Sequence, residues 1–237
     1  MDRGEIGPGF AVLTGEQAAH ARVLRLKSGD RVTLCDGQGT DYQCVIDQVH
    51  PDRIRLAVES QGSAASEAAV TVRVFMAFAK GDKPEHVIQK ATELGAAEIL
   101  LFPSSRCVMR LDGKSQEKKL ARWQKIAVSA AEQSGRGRIP IVQVLSSYEE
   151  AVAEAARADR ALFFYENEET VTLTEALREP FSTVSLMTGP EGGFEDREVE
   201  AARAAGMTVC SLGKRILRCE TAPLCALSAV MFAAGEF

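Results

Sequence analysis

Histidine is scarce in this chain, and cysteine is present without order. Of 237 residues only three are histidine, at 20, 50 and 86, and none stands beside a cysteine or another histidine. The six cysteines, at 35, 44, 107, 210, 219 and 225, form no close metal-ligand pair. Together these absences speak against a zinc site or a disulfide framework and for reduced, mostly buried thiols in a cytoplasmic protein. No apolar run is long enough to span a bilayer, and the N-terminus lacks the pattern of a signal peptide. The formal net charge of −5 argues against non-specific coating of nucleic acid, though a local basic patch remains compatible with it. There is no internal repeat. The P-loop pattern is missing, and so is GxGxxG after the first strand of the larger part, where Lys80-Gly81-Asp82 stands instead. An ordinary dinucleotide fold is therefore excluded.

What is present divides the chain in two. Residues 11 to about 60 carry short alternating segments, Arg31–Cys35, Tyr42–Ile46 and Arg53–Val58, with a hairpin signal at Asp36-Gly37-Gln38-Gly39. Ala11–Leu13 predicts a further short strand, and Thr14 a cap for a helical turn through His20 to Leu24. The pattern predicts a small β-barrel over residues 1–66, with His20 packing or hydrogen-bonding in it. Ser60–Ala69, rich in Ser, Ala and Gly, reads as the linker.

From Val70 the rhythm changes to continuous apolar strands alternating with helices, which predicts a mostly parallel α/β sheet over residues 70–237. Strands are expected at Val70–Ala79, Ile99–Phe102, Ile139–Val144, Ala161–Tyr165, Val184–Met187 and near Val209–Cys210. Helices are expected from Pro84 to Gly95, over 116–134, 147–157 and 195–205, and from Thr221 to the C-terminus. Trp123 falls on the apolar face of its helix and reads as core.

Two glycine-bearing loops follow late strands: Thr188-Gly189-Pro190-Glu191-Gly192-Gly193, and Leu212-Gly213-Lys214-Arg215-Ile216-Leu217-Arg218. Both are expected to line one cleft. Glycine permits close backbone approach to a flat ligand, and Leu212, Ile216 and Leu217 supply apolar walls. The first loop also reads as a simple helix cap.

GPEGG at 189–193 and LGKRILRCETA at 212–222, with KATELG at 90–95, AEQSGR at 131–136 and VLRLKSGD at 23–30, occur in register along the whole chain. In these motifs the sequence resembles the bacterial 16S ribosomal RNA uridine-N3 methyltransferases of the SPOUT superfamily. The resemblance implies a PUA-like N-terminal barrel and a SPOUT domain with a deep trefoil knot. It also implies S-adenosylmethionine as methyl donor, a homodimer, and 16S rRNA or the 30S subunit as partner, with neither DNA, membrane nor metal involved. The chain opens Met1-Asp2-Arg3-Gly4 where the family usually has an Arg/Phe-rich strand, so the barrel is expected to lack or reshape an edge.

On this reading Thr188, Gly189, Pro190, Glu191, Gly192, Gly193, Leu212, Gly213, Arg215, Ile216 and Leu217 hold the cofactor. Methylating N3 requires stabilising the anion that develops as its proton leaves. Arg218 supplies positive charge, and Glu220 is the available carboxylate. Near a helix start Glu220 is held ionised, which suits an orienting role as well as that of a proton acceptor. The same two residues read alternatively as an ion pair at a chain crossing. Arg22, Arg25, Arg106, Arg110, Arg136 and Arg138 are the expected RNA contacts. A tRNA methyltransferase of the same superfamily and a non-catalytic RNA-binding or ribosome-assembly protein are the alternatives.

Overall fold

The structure is a computed structural model that describes residues 6–111, 113–167 and 171–237; the atypical opening at Met1-Asp2-Arg3-Gly4 lies outside the described residues. The chain divides into two compact units, residues 1–67 with 135–138, and residues 68–134 with 139–237.

The first unit is an antiparallel sheet of β1 (Ile6–Gly7), β2 (Phe10–Thr14), β3 (Arg31–Cys35), β4 (Thr40–Val49) and β5 (Arg53–Ser63), with α1 (Gly15–Val23) after β2. Its order is β1-β2-β5-β4-β3. Alternation sends Ala11, Leu13, Cys44, Ile46, Ile54 and Leu56 inward, where they meet Ala18 and Ala21 of α1. His20 is exposed on that helix and does not pack. The Asp36–Gly39 turn joins β3 to β4 as its residues dictate. Asp36 Oδ1 accepts the amides of Gln38 (2.8 Å) and Thr40 (3.1 Å), and Gly37 and Gly39 take positive φ. The expected linker is shorter than its composition suggests. Ser60–Ser63 extend β5, because the ten-residue β4 offers them a hydrogen-bonding ladder as far as Thr40. Pairing here overrides weak strand propensity.

Residues 135–138 belong to this unit although the pattern placed them in the second. Arg136 pairs with Glu67 at 2.7 Å, and the Gly39 amide donates to the Gly137 carbonyl at 2.8 Å. A Cβ at Gly137 would lie 2.0 Å from that of Ala64, so only glycine fits there.

The second unit is a six-stranded parallel sheet of β6 (Thr71–Ala77), β7 (Glu98–Phe102), β8 (Ile141–Val144), β9 (Arg160–Phe164), β10 (Thr183–Thr188) and β11 (Thr208–Cys210). Its helices are α2 (Lys83–Glu93), α3 (Gly113–Ser134), α4 (Tyr148–Ala155), α5 (Leu173–Ala176), α6 (Asp196–Ala204) and α7 (Ala222–Ala233). The central strands are buried along nearly their whole length, which is why they read as continuous apolar runs. Trp123 is buried in the core, as is Phe194 between Phe163 and Tyr148. The short α5 was not expected. It is one turn held by a capping box between Thr172 and Glu175, with no apolar period to announce it. Among the described residues no helix is long and apolar enough to cross a membrane.

Strand order is β11-β9-β10-β6-β7-β8. The chain builds β6, β7 and β8 outward, then returns past β6 to lay down β9, β10 and β11 on the far side. That reversal brings the carboxyl ends of β9, β10 and β11 side by side, the place where open α/β sheets form ligand crevices.

Candidate functional site

At the end of β10, Thr188 is buried and its hydroxyl donates to the Phe75 carbonyl (3.4 Å). The next five residues turn sharply, closed by the Gly193 amide on the Pro190 carbonyl at 3.0 Å. Gly193 has φ +66, and a Cβ there would fall 2.2 Å from Glu166 Oε1. A side chain at 193 would displace the Glu166 carboxylate and strain the left-handed backbone there.

The loop after β11 is organised differently. Ser211 Oγ accepts the Gly213 amide (3.1 Å), and Gly213 has φ +102. At its far end the Arg218 carbonyl accepts the amides of Thr221 (2.8 Å) and Ala222 (3.0 Å), starting α7. Between these anchors the backbone amides and carbonyls of Lys214 to Leu217 make no hydrogen bond to other described residues. Such groups need water or a ligand.

The two loops enclose one cavity of about 400 Å³. Of the residues expected to hold a cofactor, Thr188, Gly189, Pro190, Glu191, Gly193, Leu212, Gly213, Arg215, Ile216 and Leu217 line it. Gly192 does not. It backs onto Arg106, whose Nη1 donates to the Gly192 carbonyl at 2.9 Å. Lys83, Tyr165 and Glu166 also line the cavity and were not foreseen. Each follows a parallel strand, β6 for Lys83 and β9 for the other two. Their position at the carboxyl edge was the signal available in the sequence.

Lys83 organises the charge at the cavity wall. Its ammonium lies 3.0 Å from Glu191, 3.5 Å from Glu220 and 3.6 Å from the Cys219 sulfur. The hydrogen bond to Glu191 is the chief reason its pKa is raised. Partial burial works against ionisation of Glu191. The Lys80 amide, its own amide and Lys83 outweigh this, and its pKa is lowered. Glu220 is lowered as well, foremost by its own backbone amide and then by Cys219 and Lys83 against partial burial. The Cys219 thiol is pushed up to about 11 by burial and by the hydrogen bond to Glu220, so it stays protonated. Two ionised carboxylates and one ammonium therefore form a fixed set.

The Arg218–Glu220 ion pair is not formed, because Lys83 takes the carboxylate. Glu220 stands behind the cavity lining, while Arg218 lies on it, exposed, with no side-chain partner among the described residues. An uncommitted guanidinium at a cavity mouth can meet negative charge that develops on a ligand.

The six arginines expected to touch RNA have different fates. Arg136 is buried in its pair with Glu67, so its charge is engaged within the first unit. Arg106 is exposed but tied to Gly192. Arg110 lines a second cavity of about 360 Å³ beside the ends of β7 and β8. Arg22 donates to the carbonyls of Ala18 and Pro51, while Arg25 and Arg138 are exposed.

A parallel sheet with a loop-built crevice, preceded by a small antiparallel unit, defines a class. Residues 66–231 match the family described as RNA methyltransferase domain, and residues 13–59 the RNA methyltransferase PUA domain. Ribosomal RNA small subunit methyltransferase E of Bacillus subtilis is 35% identical over 96% of this chain and 91% of its own. Its counterpart in Mycobacterium bovis is 35% identical over 93% and 85%. The crystal structure of the Neisseria gonorrhoeae enzyme bound to S-adenosyl methionine matches with a TM-score of 0.82 at 33% identity, covering 95% of this chain and 93% of that one. The chain belongs to the family of ribosomal RNA small subunit methyltransferase E.

Proposed function

We propose that this chain transfers the methyl group of S-adenosylmethionine to N3 of a uridine in 16S rRNA, acting in the cytoplasm on the assembled 30S subunit as a homodimer. The observation that carries the proposal is the single cavity between residues 188–193 and 211–218. Its volume falls within the range of small-molecule sites, roughly 300–1,000 Å³. Its wall offers the unpaired backbone groups of Lys214 to Leu217 beside the side chains of Leu212 and Leu217, a surface suited to a flat nucleoside. S-adenosylmethionine, when bound, supplies an electrophilic methyl group.

The chain's residues do the rest. The glycine loops hold and orient the donor. Backbone amides, with Lys83 beside them, keep Glu191 and Glu220 as anions, which makes both weak proton acceptors. Arg218 is the group that offsets the charge developing on the uracil oxygens as N3 loses its proton. We also propose that the segment after β11 threads into a trefoil knot. A crystal structure with an open path through 188–222 would remove the knot and leave the cavity as described.

The test incubates the pure protein with methyl-labelled S-adenosylmethionine and, separately, naked 16S rRNA, 30S subunits and bulk tRNA, followed by nucleoside analysis. 3-Methyluridine in 16S rRNA, strongest with 30S subunits, is the expected product. Label confined to tRNA, or binding to RNA with no label at all, would replace the proposal with one of its two alternatives.

A further inference from the structure

Glu198, in the first turn of α6, is a carboxylate only 4% exposed. Its Oε2 accepts the Glu195 amide at 2.9 Å, which closes the start of the helix. That local duty does not require burial. The chain provides its own comparison at α5, where Glu175 holds the equivalent position, exposed, and accepts from the amide and hydroxyl of Thr172. The difference lies in the other oxygen of Glu198. Its Oε1 accepts the amide of Ser105 at 3.0 Å, from the loop after β7. A buried carboxyl group is costly unless its oxygens are met by donors, and here two different loops meet them.

Two further bonds join the same loops. Arg106 Nη1 donates to the Gly192 carbonyl, and Arg197 Nη2 donates to the Ser105 hydroxyl, each at 2.9 Å. Gly192 lies close on the arginine stem, since a Cβ there would come 3.2 Å from that of Arg106. The turn at 188–193 has one backbone bond of its own among the described residues, from Gly193 to Pro190. Its shape therefore depends on outside braces. Lys80 and Lys83 hold it at Glu191, and Arg106 holds it at Gly192. Ser105, Arg106 and Glu198 stand outside the lining of the main cavity, so any effect they have on its contents passes through this turn.

We infer that Glu198 is a positioning residue for the methyl donor. Through the Ser105 amide it seats Arg106 on the Gly192 carbonyl, and that contact sets the wall at 189–193 against which the donor lies. The inference rests on the donor cavity proposed above.

Calorimetric titration of the full chain with S-adenosylmethionine, in the absence of RNA and beside thermal melting, tests this. Omitting RNA keeps any RNA contact of Arg106 out of the measurement. Glu198→Gln replaces one acceptor oxygen with a donor that faces an amide N–H, and should weaken donor binding on the order of tenfold. Should that variant fail to fold, Glu198→Asp, which keeps a carboxylate at the helix start but falls short of Ser105, carries the same expectation. Arg106→Ala, at an exposed position, should weaken binding to a similar degree, and Arg106→Lys should restore part of the loss. Because both residues act through one contact, the double variant should bind no more weakly than the weaker of the two single variants. Tyr148→Phe removes the hydroxyl bond to the Glu198 carbonyl and serves as the comparison for stability. It should melt lower by about 2–4 °C, as Glu198→Gln does, yet bind the donor as the parent does. Parental affinity in Arg106→Ala would overturn the inference. So would losses that multiply in the double variant, or a loss in Tyr148→Phe equal to that of Glu198→Gln, since each leaves Glu198 a stabiliser of the fold alone. A parent that binds no S-adenosylmethionine would instead remove the donor site itself, and this inference with it.

Discussion

A guanidinium held in an ion pair and one left free at a cavity mouth respond differently to removal. Arg218 is free because Lys83 already occupies the neighbouring carboxylate of Glu220. Arg218→Ala should therefore leave the fold and donor binding nearly intact, the latter within a few-fold. It should lower the single-turnover methylation rate by about 10²–10³, as expected when one transition-state donor is lost. Rapid-quench methylation of 30S subunits beside calorimetric binding of S-adenosylmethionine checks both. A parental rate would place the charge stabilisation elsewhere. Thr221→Ala serves as a comparison, since Thr221 is exposed and makes no side-chain cap to α7. It should change neither rate nor stability appreciably.

At the scale of elements, a carboxylate ties β9 to β10. Asp159, just before β9, accepts the Ser182 hydroxyl (2.7 Å) and the amides of Ser182 (3.0 Å) and Thr183 (2.9 Å). These bonds, the Ser182 hydroxyl first, hold its pKa at about 2. A folded-state pKa below the unfolded value, about 3.9, means the contribution to stability is full above the unfolded value and is lost as pH falls through the folded one. The urea midpoints of the parent and Asp159→Asn should thus differ by a constant amount above about pH 5 and converge toward pH 2. A gap independent of pH would show that the aspartate acts only as a neutral turn former. The strands that Asp159 joins were legible in the sequence because burial on both faces leaves an apolar run, unbroken in Ala161 to Phe164. The glycine loops were legible because a polar turn between buried elements is rare. What escaped was set by distant partners. Arg136, expected to contact RNA, is instead buried against Glu67, far back in the chain. Lys83 follows the polar Lys80-Gly81-Asp82 stretch, and only the fold brings Glu191 and Glu220 to it. Spacing along the chain carries no trace of such meetings.

For the whole molecule, α7 is the element with surface to spare. Ala226, Leu227, Val230 and Met231 are buried, yet Phe232 remains 74% exposed and Leu224 and Ala229 are only half-buried. A helix apolar on more sides than one sheet can cover fits a two-fold interface of permanent size. Sedimentation at micromolar concentration should report a dimer, and Phe232→Asp should shift it toward monomer. A monomeric parent would remove the interface and the homodimer with it. The segment 135–138 has a different consequence, for the order in which the protein is made. The first unit leaves the ribosome ahead of the second, but its Glu67 has no Arg136 to pair with until that residue emerges about 70 residues later. At about 5–20 residues per second, that is a wait of roughly 4–14 s. During this interval the nascent chain carries an unfinished unit, whose completion waits on synthesis of about two-fifths of its neighbour.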